Sequence, residues 1–115
     1  VDRAEPLVDG PVDLAFLPIG AYAPRDTMRA FHMDPADAVQ AQRDLEARYT
    51  VGIHFGTFQL TAEDFNQPIL DLQHALERSP DLPGPFMVLP EGRTWIASLG
   101  APRAVSGEPL RPQTR

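Results

Sequence analysis

At 115 residues, with 43% hydrophobic and 23% charged, the chain has the make-up of a folded domain and is too short for two comfortable cores. A net charge of −6 leaves no basic patch to displace counterions from a phosphate backbone, which excludes a nucleic-acid groove. There are no cysteines, so disulfides and thiolate metal sites are excluded, and any metal site must use carboxylates and the three histidines, His32, His54 and His74.

Residues 1–11 mix charge, Gly and Pro and read as a loop or frayed end. Val12 to Ile19 (VDLAFLPI) is a nearly continuous apolar run closed by Gly20, the pattern of a strand buried on both faces. Residues 20–33 carry no defensible period and read as a long loop, of the kind that often has a function. A helix then starts with good local chemistry: Asp34 as N-cap, Pro35 at the first helical position and Asp37 in the first turn. It should run to about Arg48, with Ala38, Ala41 and Leu45 on one face. Residues 49–53 (YTVGI) are a second strand that delivers His54 at its end, and Gly56 allows a sharp exit. A second helix is expected from Asn66 to Ser79, with Ile69, Leu72 and Leu76 as its buried stripe and Pro80 as its stop. FMVL at 86–89 and RTWIAS at 93–98, joined by Pro90-Glu91-Gly92, read as a β-hairpin.

The expected order is β-α-β-α-β-β, an α/β architecture with helices covering a sheet over residues 1–99, followed by a Pro- and Arg-rich tail at 100–115. Two helices cover one face of a sheet but hardly two, so the domain should lack a partner layer. The chain begins at Val1 with no initiator Met, which agrees with a trimmed chain, and it holds no apolar run near the roughly 18 residues of a membrane span.

Four stretches stand in order: DLAFLPIGAY at 13–22, FHMDPADAVQ at 31–40, VGIHFGTFQL at 51–60 and FMVLPEGRTW at 86–95. Together they resemble the C-terminal half of the N-acylphosphatidylethanolamine-hydrolysing phospholipase D group of the metallo-β-lactamase superfamily, whose bacterial members include ascorbate-phosphate lactonase-like hydrolases. The resemblance covers roughly residues 12–97. It implies the C-terminal half of a four-layer αββα sandwich with two zinc ions between its sheets. In that family one late metal ligand is a histidine in an Ile-His-Trp-Gly-Thr-Phe-like segment, which maps onto His54, with Phe55 standing where Trp is common. The His-x-His-x-Asp-His motif and the segment with the bridging Asp are absent from this chain. A histidine at the place of His32 faces the substrate's phosphate in the family. The resemblance therefore implies a substrate-binding role for His32 and metal ligation for His54.

Beside this stands the reading from the residues themselves. Spacing alone leaves His54 as a packed or exposed histidine, and His32 as a surface loop histidine. Tyr22 reads as a packing residue with pocket lining as the alternative, and His74 as a solvated helix-face residue. Capping accounts for Asp34 and Asp37 without any chemistry. Asp13, at the start of an apolar strand, stays undecided between capping the strand and accepting loop amides.

The expected function is thus a fragment of a zinc-dependent hydrolase, a phospholipase D-like phosphodiesterase that uses a metal-activated water, inactive as this chain alone. The alternatives are a lactonase acting on a phosphorylated sugar, and a non-catalytic half-fold that binds a partner or dimerises. The expected partner is the missing N-terminal half of the same fold or a second copy of the chain, with a small-molecule or phospholipid-like substrate. The expected location is the cytoplasm, with attachment to a membrane surface as the alternative.

Overall fold

A computed structural model describes residues 10–98; the expected tail at 100–115 lies outside them. The element order is β1 (Leu14–Pro18), α1 (Arg25–Met28), α2 (Pro35–Asp44), β2 (Tyr49–Ile53), α3 (Gln67–Glu77) and β3 (Phe86–Met87). The three strands form one parallel sheet in the order β1-β2-β3, with Leu14 opposite Tyr49 and Thr50 opposite Phe86. This is a mixed α/β arrangement, as expected, with each parallel step made through helical crossovers.

The N-terminus of α2 forms as its residues dictate. The Asp34 side chain accepts from the Asp37 amide, the Asp37 side chain accepts from the Asp34 amide, and Pro35 occupies the first turn. The helix ends at Asp44 rather than Arg48, because Glu46 takes a left-handed conformation (φ 50) and turns the chain into β2. α3 is slightly shorter than expected, ending at Glu77 with Ser79 NH bonded to the Leu76 carbonyl before Pro80 is reached. The loop after β1 is not irregular throughout, since it contains the single turn α1.

The core lies on one side of the sheet. Ala15, Leu17 and Ile19 from the β1 run meet Ala38 and Val39 of α2 and Leu72 of α3, with Ala75, Leu76, Phe86 and Val88 packed around them. Gly52 has no side chain on this face, and Ile19, Phe86 and Val88 fill the space that a Cβ would need. Gln42 is fully buried beneath α2 and its amide donates to the Gly84 carbonyl at 2.9 Å, tying the helix to the chain that leads into β3.

Two expectations are corrected here. β1 is not covered on both faces among the described residues: Phe16, between buried Ala15 and Leu17, is 59% exposed. The β-hairpin is also absent. The turn at Pro90-Glu91-Gly92 closes, with Arg93 NH bonded to the Pro90 carbonyl and Gly92 at φ 77, but residues 93–98 form no strand. Phe86–Met87 pairs instead in parallel with β2. A hairpin by itself is marginal in water, whereas pairing with β2 packs the partly buried Phe86 against the core. Trp95 instead lays its ring edge-on to Tyr49, 5.2 Å between centroids, over part of the outer face.

Candidate metal centre

The carboxyl ends of β1 and β2 lie side by side, with Pro18 opposite Ile53, and both chains leave the sheet there in unusual conformations. Side chains presented at this edge are placed where parallel sheets commonly hold ligands. Ile19 NH donates to the Ile53 carbonyl at 3.0 Å, extending the pairing by one bond. His54 then adopts φ 62, which breaks the alternation of the strand and turns its ring out to solvent. Gly20 passes so close beneath it that any Cβ would collide with the His54 carbonyl oxygen, so glycine is a steric requirement. Gly56 follows at φ 78 and gives the sharp exit that the sequence suggested.

His32 arrives from the other direction. Its amide donates to the Met28 carbonyl at 2.9 Å, closing the turn after α1, and its carbonyl accepts from Arg25 Nη1 at 3.0 Å. Arg25 is the organiser of this loop. It also pairs with Asp34 at 3.3 Å and Asp37 at 2.7 Å, locking the loop to the N-terminus of α2. The capping carboxylates therefore have a second use, as an anchor for the segment that carries His32. The result is that the rings of His32 and His54, 22 positions apart in sequence, lie 5.5 Å apart between centroids.

Beside the pair is a cleft of ≈ 270 Å³ lined by His54, Phe55, Thr57, Phe58 and Leu60. Phe55 is half-buried against the core, so it forms a fixed wall, while Phe58 and Leu60 stand largely exposed. His54 also borders a second cleft, of ≈ 400 Å³, that runs toward Leu89, Pro90 and Glu91.

A residue with no signal in the sequence completes the surroundings. The Glu63 carboxylate accepts from the Thr61 hydroxyl at 2.7 Å, from Ala23 NH at 2.9 Å and from Tyr22 NH at 3.2 Å. Burial works to raise its pKa, but the bonds from Thr61, Ala23 and Tyr22 outweigh that and hold it below the usual carboxylate range. Tyr22 is buried, as the packing reading expected, and its hydroxyl donates to Asp71 of α3. Burial, then the bond to Asp71, pushes the Tyr22 hydroxyl far above its ordinary pKa, so it stays a neutral donor. His74 is exposed on α3, at the rim of a different cleft with Tyr22 and Asp71. Asp13 is exposed, and its carbonyl rather than its carboxylate is used, accepting from Tyr49 NH.

Among the described residues no three His, Asp or Glu side chains converge to hold a metal ion. Two imidazoles, His32 and His54, stand together at this edge, and a four-coordinate zinc needs more donors than they supply.

Residues 2–55, a stretch that includes both histidines, match the model of the Beta-lactamase superfamily domain. Over 91 residues, 77% of this chain and 26% of the relative, the sequence is 38% identical to N-acyl-phosphatidylethanolamine-hydrolyzing phospholipase D 1 of Caenorhabditis elegans. It is 42% identical over 55 residues to the mitochondrial N-acyl-phosphatidylethanolamine-hydrolyzing phospholipase D of Saccharomyces cerevisiae, covering 48% of this chain and 12% of that one. It is also 38% identical over 66 residues to a metal-dependent hydrolase of Listeria monocytogenes, covering 57% of this chain and 25% of that protein. The chain thus spans about a quarter or less of the length of these curated relatives. With residues 2–55 inside the matched domain and hydrolases among its relatives, the chain belongs to the metallo-β-lactamase superfamily.

Proposed function

We propose that this chain is a fragment of a metal-dependent hydrolase, drawn from the C-terminal half of its fold, in which His54 is a ligand of one of two zinc ions and His32 binds the substrate's anionic group. The observation that carries the reading is the approach of the two imidazoles, 5.5 Å apart at the carboxyl edge of the sheet and beside an open cleft. The hydrolase names of the relatives support the reaction class, and the phospholipase D names favour a phosphodiester as the bond cleaved.

Zinc, when bound, supplies a water whose pKa is lowered to about 7 and neutralises charge that develops on the substrate. The residues of this chain do the remaining work. His54, as a neutral imidazole, holds metal through a ring nitrogen, and its left-handed backbone turns the side chain out of the strand's alternation. His32, with its backbone bonded at both ends, offers a ring N–H to an anionic oxygen from a fixed distance. Phe55 walls off one side of the cleft and keeps water from that flank.

The other ligands belong to the half of the fold that this chain does not contain, and that half is its proposed partner. It would complete the four-layer sandwich by covering the outer face, where Phe16 and Ile53 are exposed. A second reading, a non-catalytic half-fold, is favoured by one fact: no three ligands converge among the described residues.

The intact protein separates the two. His54→Ala should lower bound zinc and abolish hydrolysis, while His32→Ala should slow turnover and leave zinc content unchanged. Zinc analysis and assay of a phosphodiester substrate measure both, and an unchanged zinc content and rate in His54→Ala would sink the catalytic reading.

A further inference from the structure

We propose that Glu63 is the positioning residue of the histidine pair, setting the distance between His32 and His54 by gripping two consecutive backbone amides of the β1–α1 loop. The proposal deepens the reading of these histidines as metal and substrate groups and rests on it for its functional meaning.

The loop from Ile19 to Arg25 has to satisfy two demands at once. At one end Gly20 lies directly beneath the His54 carbonyl. At the other, Arg25 donates to the carbonyls of Tyr22 (3.4 Å) and His32 (3.0 Å). Any slip of the loop therefore moves both histidines relative to one another. Between these ends the loop makes no strand, and Ala21 sits at φ 60, a conformation that an alanine does not choose by itself. The Tyr22 and Ala23 amides both end on Glu63, one on each carboxylate oxygen. Ala62 NH donates to the Ala23 carbonyl at 3.2 Å, so the segment at 61–63 meets the loop through donors and acceptors in both directions.

A carboxylate suits this position better than any neutral side chain. Both of its oxygens accept, so two adjacent N–H groups are satisfied together, and bonds to a charged acceptor are the stronger kind. Thr61 adds a third donor and fixes the side-chain rotation of Glu63. Glu63 also borders the small crevice that contains Gly20, Ala21 and His54, which places the clamp against the site rather than remote from it.

The test uses metal-stripped intact protein with histidine labelled at the ring Cε1 carbon, and reads nuclear magnetic resonance. Glu63→Gln keeps the side-chain size but points an NH2 group at one of the two amides. It should abolish the ring-to-ring Overhauser contact between His32 and His54 and displace both resonances, while the His74 resonance, linked to the loop only through Tyr22 and Asp71, shifts distinctly less. Retention of the contact at wild-type strength would overturn the proposal, as would an equal displacement of all three histidines, which signals a general structural effect. Should Glu63→Gln fail to fold, Thr61→Val removes a single donor to the carboxylate. It should displace the His32 and His54 resonances by a smaller amount, and no displacement would overturn the proposal. Since no metal or substrate enters this measurement, a failed zinc titration would remove the functional reading and leave the positioning result to stand or fall by itself.

Discussion

The two faces of the sheet come from the same strands, alternate residue by residue, and have opposite surroundings. On the inner face Ala15, Leu17 and Ile19 lie under α2 and α3, with Ile19 excluded from solvent altogether. On the outer face Phe16 is 59% exposed and Ile53 is 42% exposed, although Tyr49 and Val51 of β2 on that face are buried, with Trp95 edge-on to Tyr49. A period-two strand that faces water on one side normally carries polar residues there, as antiparallel sheets do. This one carries Leu, Phe and Pro. The outer face of β1 is thus apolar and partly open among the described residues.

The largest expected effect tests that contrast directly in the intact protein. Leu17→Ala should cost about 2–5 kcal/mol, the ordinary range for a buried leucine. Phe16→Ala should cost about 3–5 kcal/mol if the proposed second half covers the outer face, but stay within about 0.5 kcal/mol if that face is open. Denaturant unfolding of both variants decides it, and a negligible loss for Phe16→Ala would break the argument for a covering layer.

Gly20→Ala comes next and probes the edge where both faces end. The new methyl meets backbone, which cannot swing aside, so a loss of about 1–3 kcal/mol is expected, together with weaker zinc binding as His54 is pushed away. Stability and metal affinity measured on the same preparation should fall together, and full retention of both would contradict the close approach.

Asp34→Ala should have the smallest effect, about 1 kcal/mol, from loss of the cap on α2. Its partner Arg25 would keep Asp37, so the loop that carries His32 should loosen without coming free. A melting temperature equal to that of the parent would show that the cap is redundant.

Much of this was legible in the sequence where the physics is local. Asp34, Pro35 and Asp37 announce the start of α2 because a capping box involves residues only three apart. His54 and His32 were singled out separately, through the motifs around them, and their meeting was not legible, since nothing in their spacing says that two loops will meet. The hairpin was misread because an apolar tetrapeptide does not state which strand it will pair with. Phe86–Met87 found the free edge of β2 rather than its own neighbour across the turn. Glu63 was invisible for a plainer reason. Two of its three partners are backbone amides 40 and 41 residues away, which carry no residue identity for a sequence to display.

The backbone of His54 has one further consequence. A φ of 62 is open to glycine at no steric cost and to histidine only at some expense in conformational energy. Glycine there would make the fold more comfortable and delete the imidazole. If His54 holds metal as proposed, its ring is kept at a cost in backbone energy, a trade of stability for activity at the residue where the two sheet ends meet. Engineering this protein for greater stability should leave that residue alone, because the strain and the ring are held at the same atom.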